Sequence, residues 1–447
     1  MATFSLLWAL SLVVHIWQYS LREPSLSTWA LLSAACLVFL FPRNALLLVL
    51  TASIQLIHLF QSLPYVANSW LFTGFAGLTI LWGYFVCAVP SKTPLPENQL
   101  FLRTIAIPLR AETIVLYFIS AFHKLNQDFF NPDLSCAVKL YRSYAELTSF
   151  LPQSVTTEHG VILAAVLTEF SIVICLSIPR WRWGGVILAF VFHYFLSLIP
   201  LVSLHSFSFL MYAMTSLFLK TEGTNEAPRH ASPMFIFRLF LVVVFLAFAV
   251  SYSGLNFFDF QRHTLSIFAR IVGLLFCVLL LSRAILRSRS LRALKVLREH
   301  ESIPYTFRWA HVFFPALVLL NGLQPYLGLS TGRSFSMYSN LRTEAAPNHF
   351  LLRGIPQAFK FQNGVRIISS NDAELRSYSE RNLLIPYFNL QKILFTHPDA
   401  EATYLFYDSN TPQQTGEQER DGYSTVLGKI LLMRETILFG QENRCRH

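Results

Sequence analysis

Lys124 closes an apolar stretch, YFISAFHKLNQDFF (117–130), and is the residue in this chain best placed to handle a proton. Counting back from it in steps of three and four gives Ser120, Tyr117, Thr113 and Arg110. On an α-helix those offsets put all five side chains on one stripe, while Val115, Leu116, Phe118 and Ile119 fall elsewhere. Polar groups in hydrocarbon are expensive and face a bundle interior or a wet cavity. Desolvation favours the neutral amine of a buried lysine, which is then available as a general base.

Two later segments carry polar stripes of the same kind. In FHYFLSLIP, His193 and Ser197 are four apart; in HSFSFLMYAMTS, His205, Ser208, Tyr212 and Thr215 repeat the three-and-four spacing. The spacing predicts a site in which Lys124, His193 and His205 do chemistry and Tyr117, Ser120, Ser197 and Tyr212 line a ligand cavity. Glu169, inside LTEFSIVICL, is expected to pair with Arg110 or another basic group. Walker and HExxH patterns are absent, which argues against nucleotide-driven pumps and zinc hydrolases. There is no CxxC and no Cys/His cluster, so no metal site is predicted.

These side chains need an apolar scaffold, and the composition supplies one. Hydrophobic residues make up 53% of the 447 residues, including 41 Phe, and only 13% are charged. Eleven apolar segments fall near 3–20, 27–41, 44–62, 69–89, 101–124, 159–178, 184–202, 205–219, 234–253, 266–282 and 306–324. Most approach the ~20 residues that span a bilayer, so the expected fold is an all-α polytopic membrane bundle over 1–324. The first segment lacks a basic leader and reads as a retained helix.

The net charge of +10 is carried by the bundle. Before Gln324 there are 22 Lys/Arg against 13 Asp/Glu, and from there to the end 13 against 12. A basic excess confined to loops between apolar segments fits the positive-inside bias rather than nucleic-acid binding. RAILRSRSLRALKVLREHE (283–301) is the strongest basic loop and is expected to be cytoplasmic. Alternation from that anchor puts the N-terminus inside, and the 125–158 loop and everything after Gln324 outside.

Residues 325–447 read as a small extracytoplasmic, β-containing domain. Asn363-Gly364 between FKFQ and VRIISS predicts a two-residue hairpin. TYLFYD (403–408) predicts a strand, TVLGKILLMRETILF (425–439) a helix or strand, and DSNTPQQTGEQERDG (408–422) an exposed loop. Cys136 and Cys445 are the two cysteines outside the apolar segments; pairing would need an oxidising compartment and suitable geometry.

The stretches YFISAFHKLNQDFF (117–130) and FHYFLSLIPLVSLHSFSFLMYAM (192–214), with GLSTGRSFSMYSNLRTE (328–344) and Asn348-His349, resemble the vitamin K-dependent γ-carboxylase-like family, also called the horizontally transferred transmembrane (HTTM) domain family. The resemblance implies a helical bundle whose site opens to the extracytoplasmic side of a bacterial inner membrane or an endoplasmic reticulum. It implies that a lysine at Lys124 acts as base toward reduced vitamin K or menaquinol, with His193 in the same site. Oxygenation of the quinol would then drive carboxylation of a glutamyl side chain in an exported peptide or protein. The outer domain is much shorter than in carboxylases that dock such substrates.

The rival expectation is a non-catalytic membrane factor that matures, or confers immunity to, an exported peptide. A transporter is a third, weakened by the absence of internal repeats. Membrane lipid is a partner under every reading.

Overall fold

The computed structural model describes residues 1–219 and 309–433, apart from 22–23, 92–97, 147, 149–150, 199–201, 345–346 and 353–356, together with 242, 267, 271, 275, 279, 437–438 and 445. The expected segments 234–253 and 266–282 and the basic loop 283–301 lie outside the described residues, save those single positions.

Helices α1 (Ala2–Tyr19), α2 (Leu26–Leu40), α3 (Ala45–Ser62), α4 (Asn68–Ser91) and α5 (Asn98–His123) follow the first five apolar segments. Short α6 (Gln127–Phe130) and α7 (Cys136–Ala145) lead to α8 (Val155–Ser177), α9 (Arg182–Leu198), α10 (Val202–Ser216) and α11 (Ala310–Leu327). Among the described residues, five helices are long and apolar enough to cross a membrane: α1, α3, α4, α5 and α8. On α8, Leu163, Leu167 and Ile174 are each more than half exposed at helical spacing. Such a face matches lipid far better than water.

The chain divides into two compact units. One comprises Met1–Gln61, Ser69–Tyr117 and Phe170–Val318. Its helices meet through small residues, as membrane helices do without a hydrophobic drive to associate. Gly83 on α4 shows the need: a Cβ there would collide with Ile105 of α5. Within this unit α1 packs on α2 and α10, and α10 on α9.

The second unit comprises Ser62–Asn68, Phe118–Glu169 and Leu319–His447. It holds β1 (Gly364–Ser370), α12 (Ala373–Glu380), β2 (Leu383–Pro386), α13 (Tyr387–Thr396), β3 (Ala402–Phe406), β4 (Gln413–Gln414), α14 (Glu417–Asp421), α15 (Thr425–Ile430) and β5 (Ile437–Leu438). The strands form one antiparallel sheet in the order β4-β3-β1-β2-β5. Val365 stands opposite Ile385 on one side and Phe406 on the other. Val365 and Ile367 turn inward onto Leu375, Leu390, Leu394 and Tyr404, while Arg366 and Ile368 turn outward, the period of two that a one-sided sheet requires.

Three expectations for this region are corrected. Asn363-Gly364 does not join two strands: neither residue has the positive φ that a type I′ turn needs, and β1 starts at Gly364. The preceding residues are held elsewhere, with the Gln362 amide donating to the Leu329 carbonyl and the Asn363 carbonyl accepting from Tyr387 N. The 408–422 segment is not a bare loop but contains β4 and α14. Thr415 exchanges hydrogen bonds with Ala402, and Glu419 accepts from Gly416 N, which orders it. The 425–439 segment is both helix and strand rather than one of them. Cys136 and Cys445 form a disulfide that ties α7 to the end of the chain.

Candidate functional site

In the second unit, Lys124 sits one residue beyond α5 and is almost fully buried. Its Nζ lies 2.8 Å from Glu169 Oε2 and 3.0 Å from Oε1. The same ammonium donates to Ser120 Oγ at 3.0 Å and reaches the Ser120 carbonyl at 3.2 Å. The Ser120 contact is the one expected from i, i+4 spacing. Glu169 is buried as well, so two charges have left water together, which is tolerable only when each meets the other at close range. Glu169 was expected to pair with Arg110 or another basic group, and Lys124 is that group. Arg110 instead donates to the Leu217 carbonyl in the first unit.

The turn that carries Lys124 is clamped by the segment 335–350. The Asn126 amide donates to the carbonyls of His123 (2.7 Å) and Ser339 (2.6 Å), and its Oδ1 accepts from Phe129 N and the Asn348 amide. His349 bonds the Phe122 carbonyl at 2.9 Å, and Phe350 N donates to the Leu125 carbonyl. Burial pushes the His349 imidazole below its ordinary range, partly offset by that carbonyl. The ring nitrogens of His123 face the carbonyls of Gly322 (3.0 Å) and Phe335 (3.3 Å).

Phe335, Tyr338 and Asn340 have φ values of 61°, 54° and 54°. Left-handed backbone at two bulky aromatic residues is strained and persists only when the surroundings over-determine it. Here they do: Phe335 N donates to Asn68 Oδ1, and the Asn340 side chain bonds both Cys136 N and the Leu134 carbonyl. The strained segment belongs to the stretch singled out at 328–349.

The pattern Gly328-Leu-Ser-Thr-Gly332, which the hydrolase nucleophile elbow shares, also falls there. The Ser330 side chain is engaged with backbone. Its hydroxyl is buried, donates to the Leu432 carbonyl and accepts from Leu432 N, and it follows no strand.

The first unit holds a separate buried polar cluster. Tyr117 Oη and His193 Nε2 share a hydrogen bond of 2.8 Å, and both residues are buried. The His193 ring meets Phe207 edge-on at 5.2 Å and Tyr212 at 6.3 Å, while Tyr212 stacks on Phe190 at 4.7 Å. His193 Nδ1 and Ser208 Oγ have no partner among the described residues, although both are buried. Polar atoms left so in an apolar surround are uncommon and call for water or a ligand. Ser197 and His205 are engaged differently: the Ser197 hydroxyl donates to the Tyr194 carbonyl, and His205 Nε2 bonds the Ser197 carbonyl at 2.8 Å.

The predicted residues thus fall into two groups. Lys124 and Ser120 belong to one cluster, and Tyr117, His193 and Tyr212 to the other. Ser197 and His205 meet through backbone rather than through facing side chains. The residue missing from the expected site is Glu169. A single acid in an otherwise apolar span was the signal for it, but its partner lies 45 positions away in sequence.

No family model, curated protein or solved structure matches this chain.

Proposed function

We propose that this chain is a membrane-embedded enzyme in which Lys124 is the general base toward a lipid-soluble, quinol-like cosubstrate. The observation that carries the reading is the buried Lys124 ammonium, held by Ser120 and Glu169 at the end of a membrane helix. An ionisable residue at such a place is a functional candidate by default. The resemblance to the γ-carboxylase-like family supplies the cosubstrate class, and glutamyl carboxylation is its most specific form.

The first unit, by itself, contains some of what such a group needs. A planar quinol needs aromatic neighbours and hydrogen-bonding partners for its two oxygens. The Tyr117–His193 cluster, taken alone, has the rings of Phe207 and Tyr212 beside the imidazole, Phe190 stacked on Tyr212, and one polar atom, His193 Nδ1, without a partner among the described residues. Reduced vitamin K or menaquinol, when bound, would supply an acidic phenolic O–H and the reducing equivalents with which oxygen is converted to quinone epoxide and water. What the chain contributes is local. Lys124 as free amine accepts the phenolic proton on Nζ, Ser120 and Glu169 hold the ammonium so formed, and the apolar surround excludes water that would compete for the proton.

The Cys136–Cys445 disulfide supports an oxidising, extracytoplasmic setting for α7 and the chain end, as expected from the loop charges. An exported peptide or protein is the fitting partner for a unit on that side.

A second reading has its own support. Lys124 has three N–H bonds and four acceptor contacts, so its donors are saturated within the chain. That suits a structural ion pair in a non-catalytic factor that matures, or protects against, an exported peptide.

The test uses detergent-solubilised protein with reduced vitamin K or menaquinol, oxygen, bicarbonate and glutamyl peptides. Mass spectrometry follows quinone epoxide and peptides heavier by one CO2. Epoxide that disappears in Lys124→Ala is the expected result. No epoxide from folded protein removes the quinol reading and leaves the non-catalytic one.

A further inference from the structure

We infer that Glu169 is a positioning residue for Lys124, and that the base of this site is the two-residue unit rather than the lysine alone. This rests on the proposed role of Lys124. Its physical content, a carboxylate governing the proton on Nζ, is testable without any cosubstrate.

The geometry carries the inference. Both Glu169 oxygens face Nζ, at 2.8 and 3.0 Å, so the carboxylate grips the ammonium in a forked contact. Glu169 sits deep in α8 and Lys124 follows α5, so neither long side chain is free to swing into water. A neutral lysine in apolar surroundings is a weak base, because the ammonium it would become has nothing to stabilise it. With the carboxylate beside it, proton uptake takes the unit from a net charge of −1 to zero. The proton leaves the substrate O–H, its bonding pair stays on that oxygen, and Nζ gains the N–H bond. The observed ion pair is the protonated end of this cycle.

His123, His349, Asp128 and Arg142, in the same unit, face partners of their own. His123 precedes Lys124 in sequence but projects elsewhere, its ring nitrogens facing the Gly322 and Phe335 carbonyls. His349 is engaged with the Phe122 carbonyl and Leu351 N. Asp128 lies 3.9 Å from Arg342, and Arg142 bonds Glu158.

The experiment measures acetylation of Lys124 by acetic anhydride against pH, quantified on its peptide by mass spectrometry, with no quinol present. Only the free amine reacts. Glu169→Gln removes the charge and keeps the shape, and the pH at half-labelling is expected to fall by about 1–3 units, the usual effect of an opposite charge at this range. Glu169→Asp keeps the charge at a longer reach and is expected to move the same way by less. The epoxide assay on the same proteins should show a roughly tenfold or larger loss for Glu169→Gln. Its acid limb should be displaced in the same direction, and Lys124→Ala/Glu169→Gln should be no worse than Lys124→Ala. Labelling profiles of folded Glu169→Gln that superpose on wild type overturn the inference. If that variant does not fold, an unshifted Glu169→Asp profile overturns it. A shifted profile in protein that makes no epoxide upholds the dyad and rejects the quinol reading.

Discussion

Tyr117 Oη lies 2.8 Å from His193 Nε2, a buried hydrogen bond that joins α5 to α9. Whichever atom carries the proton, the other ring nitrogen of His193 stays without a partner among the described residues. A neutral imidazole has one donor and one acceptor, so this arrangement leaves one of the two available to a ligand. Tyr117→Phe removes the bond and leaves Nε2 stranded. The expected outcome is a loss of about 1–3 kcal/mol in stability, the penalty for an unsatisfied buried group, seen as a lower Tm in detergent. If the cluster binds a quinol, Tyr117→Phe weakens its binding by about tenfold, and His193→Phe weakens it further. Unchanged quinol binding in both variants would detach this cluster from the proposed cosubstrate.

Lys124 separates the two readings of the chain. Lys124→Ala leaves Glu169 buried and uncompensated, an expected destabilisation of about 3–5 kcal/mol. Lys124→Met/Glu169→Leu replaces both charges with apolar groups of similar volume and should recover most of that loss. Lys124→Arg keeps the charge but cannot release a proton at accessible pH. Under the catalytic reading it is inactive though folded. Under the non-catalytic reading it retains function. Folding is followed by thermal melting, and activity by epoxide or by maturation of a co-expressed peptide.

Much of the helical framework is legible in sequence, since apolar runs near bilayer length can satisfy their backbone only as helices. The polar stripe from Arg110 to Lys124 is likewise legible as an i, i+4 pattern, and the Lys124–Ser120 contact follows from it. What the pattern hides is tertiary. Glu169 meets Lys124 because α8 packs where it does, which no local spacing encodes. Thr113 fits the stripe but spends its hydroxyl on the Leu109 carbonyl of its own helix. Asn363-Gly364 has the residues of a hairpin turn, yet tertiary hydrogen bonds from Gln362 and Asn363 settle the backbone otherwise. Local propensity decides only where nothing stronger competes.

The Cys136–Cys445 bond closes a span of 309 residues, and Lys139 donates to the Cys445 carbonyl beside it. Cys36 and Cys87 are buried thiols, and Cys175 is a half-buried one. Cys136→Ser should therefore lower stability by about 2–4 kcal/mol without affecting the other thiols. Maleimide labelling of denatured protein checks the pairing: two additional cysteines should react only after reduction. Equal labelling before and after reduction would show that both are thiols and remove the support for an oxidising compartment.

Asp372 gives the second unit a pH dependence with a definite sign. It caps α12 by accepting from Leu375 N at 3.0 Å, and its second oxygen meets His397 Nδ1 at 2.8 Å. Partial burial pushes its carboxyl up, but the Leu375 N–H and the His397 ring together outweigh that and hold it below the usual range. A carboxyl depressed in the folded state adds stability that is fully present above its unfolded value, about 3.9. That stability disappears as pH falls through the lower folded value. Asp372→Ala should therefore cost about 1 kcal/mol at neutral pH, as loss of a helix N-cap does. The gap between mutant and wild type should close in strong acid. Thermal melting of both proteins from neutral pH down to about pH 1.5 checks it. A gap that stays constant across that range would show that the cap does not depend on the charge of Asp372.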